Sequence, residues 1–389
     1  MNFDETYDRI ASRSAKWTAM QAAFGVTGED LLPMWIADMD FKAPDFLTKA
    51  ARDVAEIGDY GYFAHTDSYY EAVCWWAKTR HGWEIDPSWI TTTVSLGNAI
   101  ALAIQTWSKP GDNVAIFTPV YHEFASKIRR NDRQVTELPL TRRDGMFALD
   151  FASYDGLMTG RERMLILSSP HNPGGRVWSA EELRGIADFC QRHDLILISD
   201  EVHNDLVLPG FKHLPTAMAV PEMSDRLVTM TSASKTFSIA GTRLGAAIIG
   251  DKTLRAQFAD TVHRADLAPN LLGIAMSRAA FTPEGAAWVD ELLAYLAKNV
   301  ETFRDGVNAL PGVSVHPLQG TYLAWADCSG TGLSDEELWK RVTKAGVVPS
   351  PGPAFGLGGS QGLRFNLGTQ HARVEQAVER LSEAFSDLQ

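Results

Sequence analysis

Residues 227–245 have the sequence LVTMTSASKTFSIAGTRLG, in which a short apolar run is followed at once by polar residues. The run 227–232 predicts a strand that is covered on both faces of a sheet. Lys235 then follows Ser232 and Ser234, and Arg243 comes soon after. Hydroxyls and an arginine together bind phosphate, and a partly desolvated lysine can form an imine with a carbonyl compound. The stretch therefore predicts a site for a phosphorylated carbonyl compound, with a solvated turn as the alternative.

Other short apolar runs resemble the strand at 227–232 and alternate with helical patterns. One helix is predicted at 179–193, where Ser179 and Glu182 form a capping box ahead of apolar residues at helical spacing. This alternation predicts an α/β fold, with a mostly parallel sheet flanked by helices. Ligands of such sheets bind at the carboxyl ends of the strands. The remaining predicted strands are 113–117, 164–168, 195–199 and 245–250.

The pattern changes near residue 285, where a long helical run precedes turns and short strands. We therefore predict a large cofactor-binding domain at 45–285. A small α+β domain is predicted from both chain ends, 1–44 and 286–389. Within it, the proline- and glycine-rich residues 349–362 are expected to form a loop that lines the site.

The composition limits the function classes. The chain has 389 residues, of which 45% are hydrophobic and 22% are charged, as in an ordinary globular protein. Its net charge of −12 argues against nucleic acid and anionic membranes as partners. Three cysteines outside any C-x-x-C pair predict a reducing compartment, the cytoplasm, and no structural metal. No apolar run suggests a signal peptide or a membrane span.

Two further polar positions follow predicted strands. Asp200 comes directly after the strand at 195–199, and a buried acid is costly without a partner. A cationic pyridinium nitrogen would be such a partner; a helix cap, or a metal site shared with His203, are the alternatives. Asn172 lies in the turn-forming stretch SSPHNPGGRVW at 168–178.

In this order, N-P-G-G, D-E, S-x-S-K and the following arginine resemble the class I/II aminotransferase-like enzymes of fold type I, which use pyridoxal 5′-phosphate. The resemblance covers nearly the whole chain. It implies that Lys235 binds the cofactor covalently, that Asp200 pairs with its ring nitrogen, and that Asn172 donates to its 3′-oxygen. The phosphate would be held by Ser232, Ser234 and Arg243.

Three other matches extend this resemblance. Gly97 and Asn98, in SLGNA at the start of a predicted helix, match the phosphate-binding turn, and N–H groups at a helix N-terminus do favour an anion. Tyr121 matches the aromatic residue that covers the cofactor ring. Arg364 matches the arginine that binds the substrate's α-carboxylate, for which a guanidinium is suited by its paired donors.

Three features resemble the cystathionine β-lyases of the MalY/PatB type. They are the stretch PMWIADMDF at 33–41, with Trp35 and Asp38, then Tyr62 in YGYF, and His203 in DEVH. This resemblance implies that Trp35 and Asp38 lie at the substrate and His203 at the cofactor. Tyr62 would reach the cofactor phosphate of a second subunit, which implies a homodimer.

The expected activity is therefore the cleavage of a carbon–sulfur bond in cystathionine or another cysteine conjugate, with Lys235 as the catalytic base. An aminotransferase with the same cofactor is the first alternative. A regulatory or binding protein on the same fold is the second, because a fold does not determine a function.

Overall fold

The computed structural model describes residues 2–64 and 66–388, and all statements below concern these residues. Helices and strands alternate through most of this range. The α-helices are α1 (Ala15–Thr18), α2 (Met20–Phe24), α3 (Asp45–Ile57), α4 (Asp67–Trp76), α5 (Leu96–Trp107), α6 (Glu123–Arg130), α7 (Phe151–Tyr154), α8 (Ala180–Arg192), α9 (Thr216–Ala219), α10 (Ala233–Thr236), α11 (Lys252–Arg264), α12 (Leu271–Ala280), α13 (Pro283–Asn308), α14 (Asp335–Lys344) and α15 (His371–Phe385).

The strands are short. They are β1 (Leu32–Pro33), β2 (Ile90–Thr93), β3 (Asn113–Thr118), β4 (Gln134–Pro139), β5 (Thr141–Arg143), β6 (Met146–Ala148), β7 (Glu162–Ser168), β8 (Ile196–Asp200), β9 (Leu227–Thr231), β10 (Gly245–Ile248), β11 (Ser314–Val315), β12 (Leu323–Asp327), β13 (Val347–Val348), β14 (Ser350–Pro351) and β15 (Gly362–Asn366).

The central sheet has the strand order β2-β10-β9-β8-β7-β3-β4. The five strands from β9 to β4 are parallel, and β10 runs antiparallel to both of its neighbours. The side chains of β3, β7, β8, β9 and β10 are almost entirely buried, as expected of strands that are covered on both faces. The predicted α/β class is confirmed, and the five apolar runs of the sequence are β3, β7, β8, β9 and β10.

The parallel strands bring polar residues together at one edge of the sheet. Asp200 ends β8, where it lies opposite Ser168 of β7 and Met230 of β9. Lys235 follows β9 after one tight turn, and α8 begins at the predicted capping box of Ser179. This carboxyl edge is where a ligand of a parallel sheet is expected.

The two chain ends meet in a second group of strands. Strand β1 pairs in parallel with β13, and the antiparallel sheet β11-β12-β15-β14 brings Arg364 between Trp325 and Ser350. One hydrophobic cluster runs from Phe3 through Phe237 to Trp288, so the two parts share a core. The domain boundaries given above stay a prediction.

Within residues 2–64 and 66–388, no helix is both long and apolar enough to span a bilayer. The same residues contain no group of three or more His, Cys, Asp and Glu side chains arranged to hold a metal ion. Cys74, Cys190 and Cys328 are free thiols.

Candidate active site

Lys235 lies on α10, a single helical turn that Ser232 caps. The Ser232 hydroxyl accepts from the Ser234 N–H at 3.1 Å and donates to the Leu244 carbonyl at 2.7 Å. The Lys235 Nζ donates to the Ala37 carbonyl at 2.6 Å. Burial lowers the pKa of Lys235, with Arg364 acting in the same direction and Asp38 and Asp200 opposing it. The amine is therefore closer to its neutral, basic form than an exposed lysine is.

Asp200 is a buried carboxyl group, only 7% exposed. It accepts the N–H of Val202 at 3.2 Å. In the described part of the chain, no cationic side chain forms an ion pair with it. Burial therefore raises the pKa of Asp200 to about 7. Such a carboxyl group gains most from a cationic ligand brought against it.

Arg364 is a buried guanidinium next to Asn172. Its Nη1 donates to Asn172 Oδ1 at 3.0 Å, and its Nη2 donates to Ser350 Oγ at 3.0 Å and to the Trp35 carbonyl. Its Nε has no protein acceptor among the described residues. Burial lowers the pKa of Arg364 to about 10, so it keeps its charge at neutral pH. Three of its five N–H groups are used, which leaves the Nε–H and one Nη1–H, in different directions, for ligand oxygens.

Aromatic residues enclose this space. The Tyr121 N–H donates to the Asn172 carbonyl at 3.0 Å, and burial raises the pKa of Tyr121 to about 12. The rings of His203 and Tyr322 meet edge to face at 5.9 Å. Burial lowers the pKa of His203 to about 3, so its imidazole is neutral. Neither His203 Nδ1 nor the Tyr322 hydroxyl has a partner within the described ranges, although both atoms are buried.

Residues 33–41 contribute mainly through their backbone. The carbonyls of Trp35 and Ala37 accept from Arg364 and Lys235. The Asp38 carboxylate instead accepts from Ser238 Oγ at 3.1 Å and pairs with Arg9. The Trp35 indole donates to the Lys16 carbonyl at 2.8 Å. This arrangement fits residues that position Lys235 and Arg364; direct substrate contact by Trp35 and Asp38 stays a prediction.

The N-terminus of α5 is the candidate phosphate site. Ser95 caps the helix by accepting the Asn98 N–H at 3.2 Å, and the Asn98 Oδ1 is buried without a partner among the described residues. The side chain of Lys127 lies across Gly97. The first turn of α5 lies against Gly245, at the end of β10 beside the carboxyl end of β9, so this helix end lies at the same edge of the sheet.

Two predicted residues lie outside this group in the single chain. The Arg243 side chain is exposed, on backbone with a φ of 54°. Tyr62 is fully exposed, and no other described residue hydrogen-bonds its hydroxyl. Their predicted roles at the phosphate therefore have no support within one subunit and stay predictions.

Sequence reasoning missed five polar residues of the site. Tyr322 and Ser350 follow no catalytic motif, and Arg9 and Ser238 act only through Asp38. Lys127 carries one usable signal, its spacing of four residues from Glu123, but that spacing is also typical of a solvated helix.

The chain belongs to the aminotransferase class I and II family, and the family's sequence model matches residues 30–381. It is 37% identical to the cystathionine β-lyase PatB of Bacillus subtilis, over 99% of this chain and 100% of that protein. Cystalysin from Treponema denticola, solved with a pyridoxal 5′-phosphate cofactor, has a TM-score of 0.94 at 31% identity, over 99% of both chains. The pyridoxal-phosphate-bound C–S lyase of Staphylococcus hominis has a TM-score of 0.91 at 26% identity, over 100% of this chain and 98% of that one.

Pyridoxal 5′-phosphate is therefore the cofactor, and the residues fit it. Asp200 is a buried acid without a cation, and Lys235 is an amine of lowered pKa within its electrostatic reach. The His203 Nδ1 and the Tyr322 hydroxyl are buried without a partner among the described residues, and the start of α5 suits an anion. Each group of the cofactor thus has a complementary group in the chain.

Proposed function

We propose that this protein is a C–S β-lyase that cleaves cystathionine, or a related cysteine S-conjugate, to pyruvate, ammonia and a thiol. The observation that carries the proposal is that Lys235, Asp200 and Arg364 lie together in one site. Arg364 donates to Asn172, whose N–H donates to Ser168 opposite Asp200. Arg364 and Lys235 donate to the carbonyls of residues 35 and 37 of the same segment. The full-length likeness to named C–S lyases supports the choice of reaction.

In this proposal Arg364 orients the substrate. An N–H group that the protein leaves free would bind the α-carboxylate, while Asn172 and Ser350 hold the guanidinium in place. Phe355 lies 4.9 Å from the guanidinium carbon and shields this ion pair from water. The substrate's α-carbon is then fixed relative to Lys235.

Lys235 would bind the cofactor and serve as the general base. Bound pyridoxal phosphate accepts the electron pair released at the substrate's α-carbon. Displaced from the cofactor, Lys235 takes the α-proton at Nζ, and its lowered pKa favours the neutral amine that this step needs. The Cβ–S bond would then break with both electrons going to sulfur, while the electron pair from Cα forms the Cα–Cβ double bond. The proton taken up by Lys235 would pass to the sulfur, which leaves as a thiol. Water converts the remaining three carbons to pyruvate and ammonia.

The remaining residues would hold the cofactor. Asp200 would pair with the ring nitrogen, and Asn172 has its amide N–H groups available for the 3′-oxygen because its Oδ1 is engaged with Arg364. Tyr121 would cover the ring, and His203 would lie beside it as a neutral imidazole. The phosphate would be bound by Gly97, Asn98, Ser232, Ser234 and Arg243.

We also propose a cytoplasmic homodimer. Tyr62 and its neighbours Tyr60 and Phe63 expose large aromatic surfaces that a second subunit would cover, at 111%, 70% and 38% exposure. This would bring Tyr62 to the other subunit's phosphate. The three free thiols support a reducing compartment.

Incubation of the cofactor-loaded protein with L-cystathionine, in the absence of any keto acid, tests the reaction. We expect pyruvate, ammonia and homocysteine in equal amounts, over many turnovers. Pyruvate is measured with lactate dehydrogenase and the thiol with a disulfide reagent. Turnover that starts only when a keto acid is added would instead show an aminotransferase.

A further inference from the structure

Lys127 reaches from α6 to the first turn of α5. A Cβ atom built on Gly97 would lie 2.8 Å from Lys127 Cε and 3.3 Å from its Nζ. The lysine can occupy this position because residue 97 has no side chain. Its ammonium group therefore lies beside the backbone of the first turn of the helix.

That helix end already has the features of an anion site. Ser95 caps only the Asn98 N–H, so the N–H groups of Leu96 and Gly97 have no acceptor within the helix. These backbone N–H groups are free to donate to a phosphate oxygen. The Asn98 Oδ1 is a buried acceptor without a partner within the part of the chain that the structure describes, so it can accept from a donor but cannot itself bind the phosphate.

A cation at this place is unfavourable by itself. The N-terminus of a helix carries the positive end of its dipole, which repels an ammonium group. Glu123 offsets part of this repulsion through an ion pair of 2.7 Å with Lys127. Both side chains remain partly exposed, at 20% and 30%, so the pair is screened by water. An anion bound between Lys127 and the helix would offset the remaining repulsion between the ammonium group and the helix dipole.

The start of α5 also lies at the sheet edge that carries Asp200. A Cβ atom built on Gly245 would lie 3.1 Å from the Leu96 N, and the next residue, Ala246, pairs with Thr231, which follows the Met230 that lies opposite Asp200. Asp200 is the proposed partner of the ring nitrogen. Arg243, the arginine expected at the phosphate, is exposed in this chain.

We propose that Lys127 is a direct ligand of the cofactor's phosphate, with Gly97 providing the space and Glu123 orienting the ammonium group. This inference rests on pyridoxal phosphate as the cofactor and is independent of the reaction that follows.

The test compares two ligands that differ only in the phosphate. Apoprotein of the wild type and of Lys127→Met is titrated with pyridoxal 5′-phosphate and with pyridoxal, and binding is followed by the imine absorbance. Loss of a charged hydrogen bond is expected to weaken the binding of pyridoxal phosphate by about tenfold to a hundredfold. Pyridoxal should bind equally well to both proteins. Lys127→Arg should recover part of the lost affinity.

Lys340→Met is the matched control. It removes an exposed pair, Glu336 to Lys340, with the same spacing and direction on α14. It should leave both affinities unchanged. Equal weakening of the two ligands by Lys127→Met, or no weakening of pyridoxal phosphate, would overturn the assignment of Lys127. A wild type that does not bind pyridoxal phosphate at all would contradict the cofactor and with it the proposed function.

Discussion

Lys235→Ala is expected to lower kcat for β-elimination by about two to four orders of magnitude, the usual contribution of a general base. The variant should also lose the visible imine absorbance of the cofactor-loaded protein. The reason is that the Lys235 amine alone combines a lowered pKa with electrostatic coupling to both Asp200 and Arg364. Activity is measured as pyruvate release and the imine by its absorbance.

Lys49→Ala provides the control for that experiment. Lys49 is an exposed lysine whose ion pair with Asp53 lies on the surface of α3. Its removal should leave both readouts unchanged. An imine band and a near-normal kcat in Lys235→Ala would contradict the role of Lys235.

Asp200→Asn should have opposite effects on the apoprotein and on the loaded enzyme. The pKa of Asp200 is about 7 in the folded protein, against an ordinary value of 3.8. Between these two pH values the folded chain holds a proton that the unfolded chain releases. The contribution of Asp200 to stability therefore falls as pH rises from about 4 to about 7, and stays low above that. Asparagine does not titrate, so Asp200→Asn removes this loss of stability at high pH.

The apoprotein of Asp200→Asn should accordingly melt several degrees above the wild type at pH 8, with a smaller difference at pH 5. At about 1.4 kcal/mol per pKa unit, the free energy involved is a few kcal/mol. With cofactor the order should reverse, because asparagine cannot neutralise a pyridinium nitrogen. Thermal melts of both forms at the two pH values measure this.

Glu201→Gln is a control at the neighbouring residue, and it is expected to change the stability of the apoprotein in the opposite direction. Glu201 is equally buried but pairs with His213 at 2.9 Å, and this interaction lowers its pKa. Its removal should lower the melting temperature of the apoprotein at pH 8, because it leaves buried partners unsatisfied. A lower melting temperature in the Asp200→Asn apoprotein at pH 8 would contradict the account of Asp200.

The site residues that could be predicted from the sequence are those whose position follows from one strand and the turn after it. Asp200 and Lys235 each come directly after a buried apolar strand, and parallel pairing brings such strand ends to one edge. Periodicity alone was therefore enough to predict the sheet and the edge that carries the site. The residue types suggested an imine at Lys235 and a cationic partner for Asp200, whereas the choice of cofactor and the role of Arg364 came from the family resemblance.

The remaining residues depend on contacts between distant parts of the chain. Tyr322 becomes notable only because its buried hydroxyl lacks a partner beside His203. Lys127 reaches the start of α5 only through the packing of α6 against that helix. The sequence also suggested that Trp35 and Asp38 contact the substrate, whereas the fold engages them with Lys16, Arg9 and Ser238.

Covalent attachment of the cofactor is the most direct test of the site. The loaded wild-type enzyme is reduced with borohydride, digested and analysed by peptide mass spectrometry. We predict that the reduced pyridoxal phosphate is found on the peptide that contains Lys235, in about one copy per chain. Its absence there, or its presence on another lysine such as Lys127, would contradict the account of this site.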